Sequence, residues 1–383
     1  MSSAPLSVRR PIRSLRQDSA ERPYIVIWEV TRACGLVCQH CRADAVHDRH
    51  PRELDTAEGF ALLDDIATFG SPRPVVVLTG GDPLERTDLV ELVAHGSAAG
   101  LSMALSPSVT PLLTRDAMAR LRAAGASAIS LSLDGATAAT HDGFRGVPDV
   151  FDDTLVAALT VRELGFRLQL NTTVTVGNVR ELPEVLRLVI ELGATLWSVF
   201  FLVPTGRGAN LDALGADDVE EVLHWLHDVS DHVAIKTTEA PHYRRLALQR
   251  SGIDDVDAVF PVGPLRAALR ADTHAVLGEH QPRAHGPRPP LDVNAGRGFA
   301  FIDHLGLVYP SGFLPEVAGS VREQPFSEVY RSSPLLRSLR EPDRFSGPCG
   351  RCDFRAVCGG SRSQAYAVAG DALASDPNCS YQP

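Results

Sequence analysis

Cys34, Cys38 and Cys41 form a C-x3-C-x2-C run directly after the apolar segment Tyr24–Trp28. Three thiolates on one short loop suit three irons of a cubane iron–sulfur cluster and leave the fourth iron without a protein ligand. An open iron on a redox cluster is a place to bind and reduce a cofactor or substrate. Zinc, the alternative, prefers four ligands and C-x2-C pairs. Cys349, Cys352, Cys358 and Cys379 form a second group, C-x2-C-x5-C-x20-C. Four thiolates close a cluster completely, and structural zinc takes the same set, so local chemistry leaves both open here. Three cysteines lie near the start and four near the end, with none between. Disulfide partners have no reason to segregate so; two metal sites do.

Elements that position such loops are legible around them. Strand-like runs at Tyr24–Trp28, Val75–Leu78, Ser102–Leu105, Ala128–Leu133, Leu168–Thr173 and Leu196–Phe201 alternate with helical patterns at Thr56–Phe69, Asp88–Ala99, Thr114–Ala124, Asp152–Leu164 and Glu181–Leu192. Gly100, Gly125, Gly165 and Gly193 stop four of the helices. Six βα units with buried parallel strands predict an α/β barrel or doubly wound sheet, with its chemistry at the C-terminal strand ends. Gly80, Gly81 and Asp82, then Ser106, Ser132, Asn171 and Pro204, all fall at or just past such ends. Asp217–Val229 reads as a helix, and 251–297 as the least regular part, with a loop at Gln281–Pro290. Gly298–Val308 reads as a hairpin. The segment from 345 on is poor in core residues and is expected to need a metal to hold it.

Composition narrows the classes. Net charge is −10 with pI about 5.7, which argues against nucleic-acid and anionic-membrane partners. Lys236 is the only lysine, and arginines are spread throughout. No apolar run reaches the ~18 residues of a membrane span. The first residues carry Arg9, Arg10, Arg13 and Arg16 without an apolar stretch, so they read as a loose arm, not a secretory signal, and the chain as cytoplasmic.

The triad after strand one, with Thr79-Gly80-Gly81-Asp82-Pro83, resembles the radical S-adenosylmethionine (SAM) superfamily. Ser130-Leu131-Ser132-Leu133-Asp134-Gly135 with His141-Asp142-Gly143-Phe144-Arg145-Gly146, and Cys358-Gly359-Gly360-Ser361-Arg362 with Asp376-Pro377-Asn378-Cys379, resemble its SPASM/twitch branch. The resemblance implies a partial (β/α)6 TIM-like barrel over 22–235, an arm at 1–21, a bridging segment at 236–297 and a SPASM/twitch-like iron–sulfur module at 298–383. It implies a SAM-binding 4Fe–4S cluster on Cys34, Cys38 and Cys41 and one auxiliary 4Fe–4S cluster on Cys349, Cys352, Cys358 and Cys379. His40, Gly80, Gly81, Asp82, Ser106, Ser132, Asn171 and Pro204 would contact SAM, Asp82 through its ammonium. Arg145 is open between a structural and a functional role. Fuller modules hold a second auxiliary cluster through hairpin cysteines; here Ser311 stands near the hairpin exit and Arg362 after Cys358, so that cluster is expected to be absent.

The implied activity is that of an oxidoreductase or maturase: reductive cleavage of SAM, then hydrogen abstraction from a substrate, with the auxiliary cluster relaying electrons and a flavodoxin- or ferredoxin-type protein as electron donor. Three substrates compete, in the order ribosomal peptide, tetrapyrrole, other metabolite or protein residue. The ~20 residues before strand one are short for a leader-binding domain, so a peptide would need a separate carrier. For a tetrapyrrole, Arg207, His242, Arg244 and Arg245 are candidate carboxylate partners. The alternative of another class is a non-catalytic iron–sulfur or zinc scaffold.

Overall fold

The computed structural model describes residues 12–13, 18–278 and 289–383. Most of the expected N-terminal arm and of the Gln281–Pro290 loop lies outside them. Seven strands run parallel in chain order: β1 (Ile25–Glu29), β2 (Val75–Thr79), β3 (Ser102–Leu105), β4 (Ala128–Ser132), β5 (Arg167–Val174), β6 (Leu196–Phe201) and β7 (Ile235–Thr238). Their β-branched and aromatic runs suit a sheet buried on both faces. Glu29 stands opposite Thr79, Ser132 opposite Asn171 and Thr173 opposite Phe200. That register gathers the C-terminal strand ends into one rim.

The helices lie over the outer face. Thr56–Ala67 starts at a capping box between Asp55 and Glu58, which satisfies two terminal N–H groups reciprocally, and buries Leu62, Leu63 and Ile66. Trp28, Trp197 and Trp225 are fully buried in the core between sheet and helices. Gly100, Gly125, Gly165 and Gly193 all take positive φ at helix ends, as their positions predict.

Two features depart from the sequence reading. First, β7 is a real strand. Of Ile235-Lys236-Thr237-Thr238 only Ile235 is apolar, so no burial pattern marks it. Second, the hairpin joins the barrel. β8 (Phe299–Ile302) pairs parallel with the free edge of β1, β9 (Leu307–Tyr309) folds back on it, and β10 (Gly319–Ser320) extends the sheet, giving the order β10-β9-β8-β1-β2-β3-β4-β5-β6-β7. Register between strands ~270 residues apart is a non-local property.

Part of the irregular 251–297 region is also ordered, as the helix Pro264–Leu277 beside the helices Leu182–Glu191 and Ala216–Asp228. Its apolar stripe is narrow; charge fixes it instead. Asp228 accepts from Arg250 at 2.6 Å, Arg266 at 3.0 Å and Arg270 at 2.8 Å. These guanidiniums outweigh burial and hold the Asp228 pKa down to about 2. Asp228→Ala leaves the buried Arg250 without its carboxylate, and Arg266 with only the half-exposed Asp257 at 3.1 Å, and should cost about 3 kcal/mol in urea unfolding. Because the folded pKa is depressed, this contribution is full above the ordinary carboxylate range. It fades as pH falls towards about 2, so the gap between variant and parent should narrow there.

Candidate active site

A cavity of about 690 Å³ opens at the C-terminal rim and runs down the inside of the sheet. Cys34, Cys38, His40, Cys41, Gly80, Gly81, Ser106, Ser132 and Asn171 line it. Nine of the residues expected around SAM and the first cluster are thus brought to one space.

The cysteine loop is built to present sulfur. Cys34 Sγ accepts from Leu36 N–H at 3.4 Å and lies 3.5 Å from Ser108 Oγ, while Cys41 Sγ accepts from Ala45 N–H at 3.4 Å. Arg145 Nη1 donates to Cys38 Sγ at 3.6 Å, and its Nη2 pairs with the buried Asp134. Asp134 Oδ1 also accepts from Thr173 N–H at 2.7 Å, His141 Nδ1 accepts from Asp134 N–H at 3.1 Å, and His40 Nε2 lies 3.7 Å from Asp134 Oδ2. Asp134 is therefore the hub that ties the end of β4 to the cysteine loop. Arg145 is the strut between them, which unites the two roles left open for it. Burial and the neighbouring guanidiniums hold the His40 pKa near 4, so its imidazole is neutral at ordinary pH.

Gly80 and Gly81 have a reason the sequence did not disclose. A Cβ on Gly80 would stand 2.5 Å from Thr31 O, and one on Gly81 2.3 Å from Ala33 O. Gly81 N–H and Asp82 N–H donate to Thr31 O and Ala33 O at 2.9 and 2.7 Å. The pair lets the β2 turn press on the backbone that carries Cys34. Gly81→Ala must push that loop away, at about 1–3 kcal/mol of overpacking. Iron retained by the first cysteine group should fall while the second group keeps its own, as separate iron assays of single-group variants would show.

Asp82 and Pro204 are not among the residues that line this cavity. Asp82 is fully buried and outside the cavity lining. Its carboxylate accepts from Leu84 N–H, Ser108 N–H and Thr110 Oγ1, and burial lifts its pKa to about 6. Pro204 also stands outside the lining. Its neighbour Arg207 instead clamps the cysteine loop, donating to Cys38 O at 2.9 Å and Ala45 O at 3.2 Å.

The second cysteine group has the same N–H···S support. Phe354, Gly360 and Asp376 N–H donate to Cys352, Cys358 and Cys349 Sγ, each at 3.4 Å. Arg244 fastens this loop to the barrel through Val357 O, Cys358 O and Val293 O at 2.7, 2.8 and 2.6 Å. Burial raises the Cys358 and Cys379 thiols to about 12 and about 11, so loading metal there must displace protons. None of the seven cysteines is in a disulfide. Among the described residues no three His, Cys, Asp or Glu side chains are placed to hold a single ion. Free thiols with N–H donors to their sulfurs suit an iron–sulfur cluster. Also among the described residues, no helix is long and apolar enough to cross a membrane.

Sequence reasoning set Glu239, just past β7, aside, because with His242 and Tyr243 it reads as a solvated loop or helix edge. It lines the cavity, with its carboxylate held by Ser311 Oγ at 3.0 Å and Ser361 Oγ at 2.5 Å. Burial outweighs the pull of these hydroxyls and leaves its pKa raised above the ordinary carboxylate value. Its left-handed φ of 59°, rare for a residue with a side chain, is the structural signal.

The Radical SAM superfamily profile matches residues 28–193. The AdoMet-dependent heme synthase of Methanosarcina barkeri is 38% identical, over 94% of this chain and 97% of its own. The mycofactocin maturase MftC of Mycobacterium ulcerans is 30% identical, over 95% and 89%. The fold matches Streptococcus suis SuiB bound to S-adenosylmethionine with a TM-score of 0.69 at 14% identity, over 94% of this chain and 78% of that one. With this sheet, this cysteine loop and these relatives, the chain belongs to the radical SAM superfamily, in its SPASM/twitch branch, a membership that implies SAM and a 4Fe–4S cluster.

Proposed function

We propose that this protein is a radical SAM oxidoreductase acting on the carboxylate-bearing side chains of a tetrapyrrole. In this reading Cys34, Cys38 and Cys41 hold the first 4Fe–4S cluster, and Cys349, Cys352, Cys358 and Cys379 an auxiliary one that receives the electron leaving the substrate. When bound, the first cluster supplies the electron that breaks a C–S bond of SAM and frees a deoxyadenosyl radical. The chain's own residues do the rest. Arg145 and Arg207 hold the cysteine loop, Ser132 and Asn171 present polar groups to the cofactor, and the sheet shields the space from water.

The carrying observation is the charge of the cavity wall. Among the described residues lining it are Arg13, Arg42, Arg145, Arg167, Arg207, Arg244 and Lys236, against the single carboxylate of Glu239. Arg42, Arg145 and Arg207 are ion-paired with Glu29, Asp134 and Asp44, but the wall itself carries cationic groups and a single carboxylate, which supports a guest bearing carboxylates. The heme synthase relative points the same way and puts tetrapyrrole ahead of peptide, the first choice from sequence.

The test is untargeted mass spectrometry of a host expressing the active protein or its Cys38→Ala variant under low oxygen. Porphyrin intermediates that lose hydrogen or a carboxyl group only with the active form are expected. A change confined to a peptide would replace this reading with that of a maturase, the activity named for MftC.

A further inference from the structure

Glu239 is the meeting point of three parts of the chain that are remote in sequence. It ends β7 and faces the cavity, Ser311 lies at the exit of the β8–β9 hairpin, and Ser361 begins the helix Arg362–Ala369, three residues past Cys358. Ser361 is fully buried and saturated: its Oγ donates to Glu239 and accepts from Gln364 N–H, while its own N–H donates to Asp376 Oδ2 at 2.6 Å. Asp376 N–H donates to Cys349 Sγ, and the fully buried His242 ring stands 3.6 Å from Asp376 Oδ2. A continuous polar path thus runs from a carboxylate in the cavity wall, through one serine and one aspartate, to a thiol of the second group. Both Glu239 oxygens act as acceptors, as an ionised carboxylate does. Its left-handed backbone is a strain retained only where the surroundings enforce it.

We infer that Glu239 is a positioning residue: it joins the cavity wall to the loops carrying Cys349 and Cys358 and sets, by its charge, how readily a cluster held there accepts an electron. The inference rests on the proposed reading in which the second cysteine group holds a cluster. A fixed negative charge beside a cluster opposes adding an electron and lowers its potential, since net charge and hydrogen bonding tune these centres.

The experiment uses the full chain with Cys34, Cys38 and Cys41 replaced by alanine, so that the second cluster alone gives a paramagnetic signal on reduction. Its midpoint potential is followed by electron paramagnetic resonance, above neutral pH, in this parent and with Glu239→Gln or Glu239→Asp added. The glutamine variant should shift the potential upward, and the charge-retaining aspartate variant should stay at the parental value. A glutamine variant at the parental potential, or one that loses the cluster outright, reduces Glu239 to a structural tie and overturns the inference. A parent without any second-cluster signal instead overturns the reading beneath it.

Discussion

Cys38→Ala is expected to abolish deoxyadenosine formation when the anaerobically reconstituted protein is given SAM and dithionite. Two thiolates cannot replace three on a cubane whose fourth iron must stay open. The substitution also removes the sulfur that Arg145 Nη1 faces at 3.6 Å, leaving that strut tied to Asp134 alone. The fold should survive. Cys38 sits in a small satellite cluster with Cys34, Leu36 and Val150, outside the main core of sheet and helices. Thermal unfolding of the metal-free chains should therefore nearly coincide while SAM cleavage is lost. Deoxyadenosine production retained by a well-folded Cys38→Ala protein would falsify the first-cluster assignment.

Cys352→Ala should separate the two halves of the chemistry. Its sulfur, supported by Phe354 N–H at 3.4 Å, lies in a segment tied to the barrel by Arg244 and Glu239, among other contacts. Wild-type protein is expected to hold about eight irons and the variant about four. SAM cleavage should continue in the variant, uncoupled, while substrate turnover fails for want of an electron acceptor. Normal turnover would remove the relay role. A wild-type content of about twelve irons would mean a third cluster, against the absence of cysteine at Ser311.

The cofactor chemistry was readable because it rests on short-range spacing. Cys34, Cys38 and Cys41 lie on one loop, Ser132 ends β4, and Asn171 lies within β5 opposite it. Other features depend on contacts between distant segments, which no local pattern encodes. That the Cβ positions of Gly80 and Gly81 would meet Thr31 O and Ala33 O is one such contact. That Asp82 caps the turn at Pro83–Glu85 and accepts from Thr110 is another. β7 escaped notice because polar residues fill most of it. Glu239 resembled a solvated loop residue until Ser311 and Ser361 were placed against it.

The parallel pairing of β8 with β1 bears on how the chain is made. Ile25–Glu29 is among the first strands to leave the ribosome, and its partner Phe299–Ile302 follows roughly 270 residues later. At about 5–20 residues per second, one edge of Ile-Val-Ile-Trp stays uncovered for about 15–55 s of synthesis. An apolar, β-prone edge exposed for that long invites pairing with other chains. Nascent copies therefore depend on chaperone cover until the last quarter of the polypeptide arrives, and a barrel cut off after β7 keeps the same sticky edge permanently.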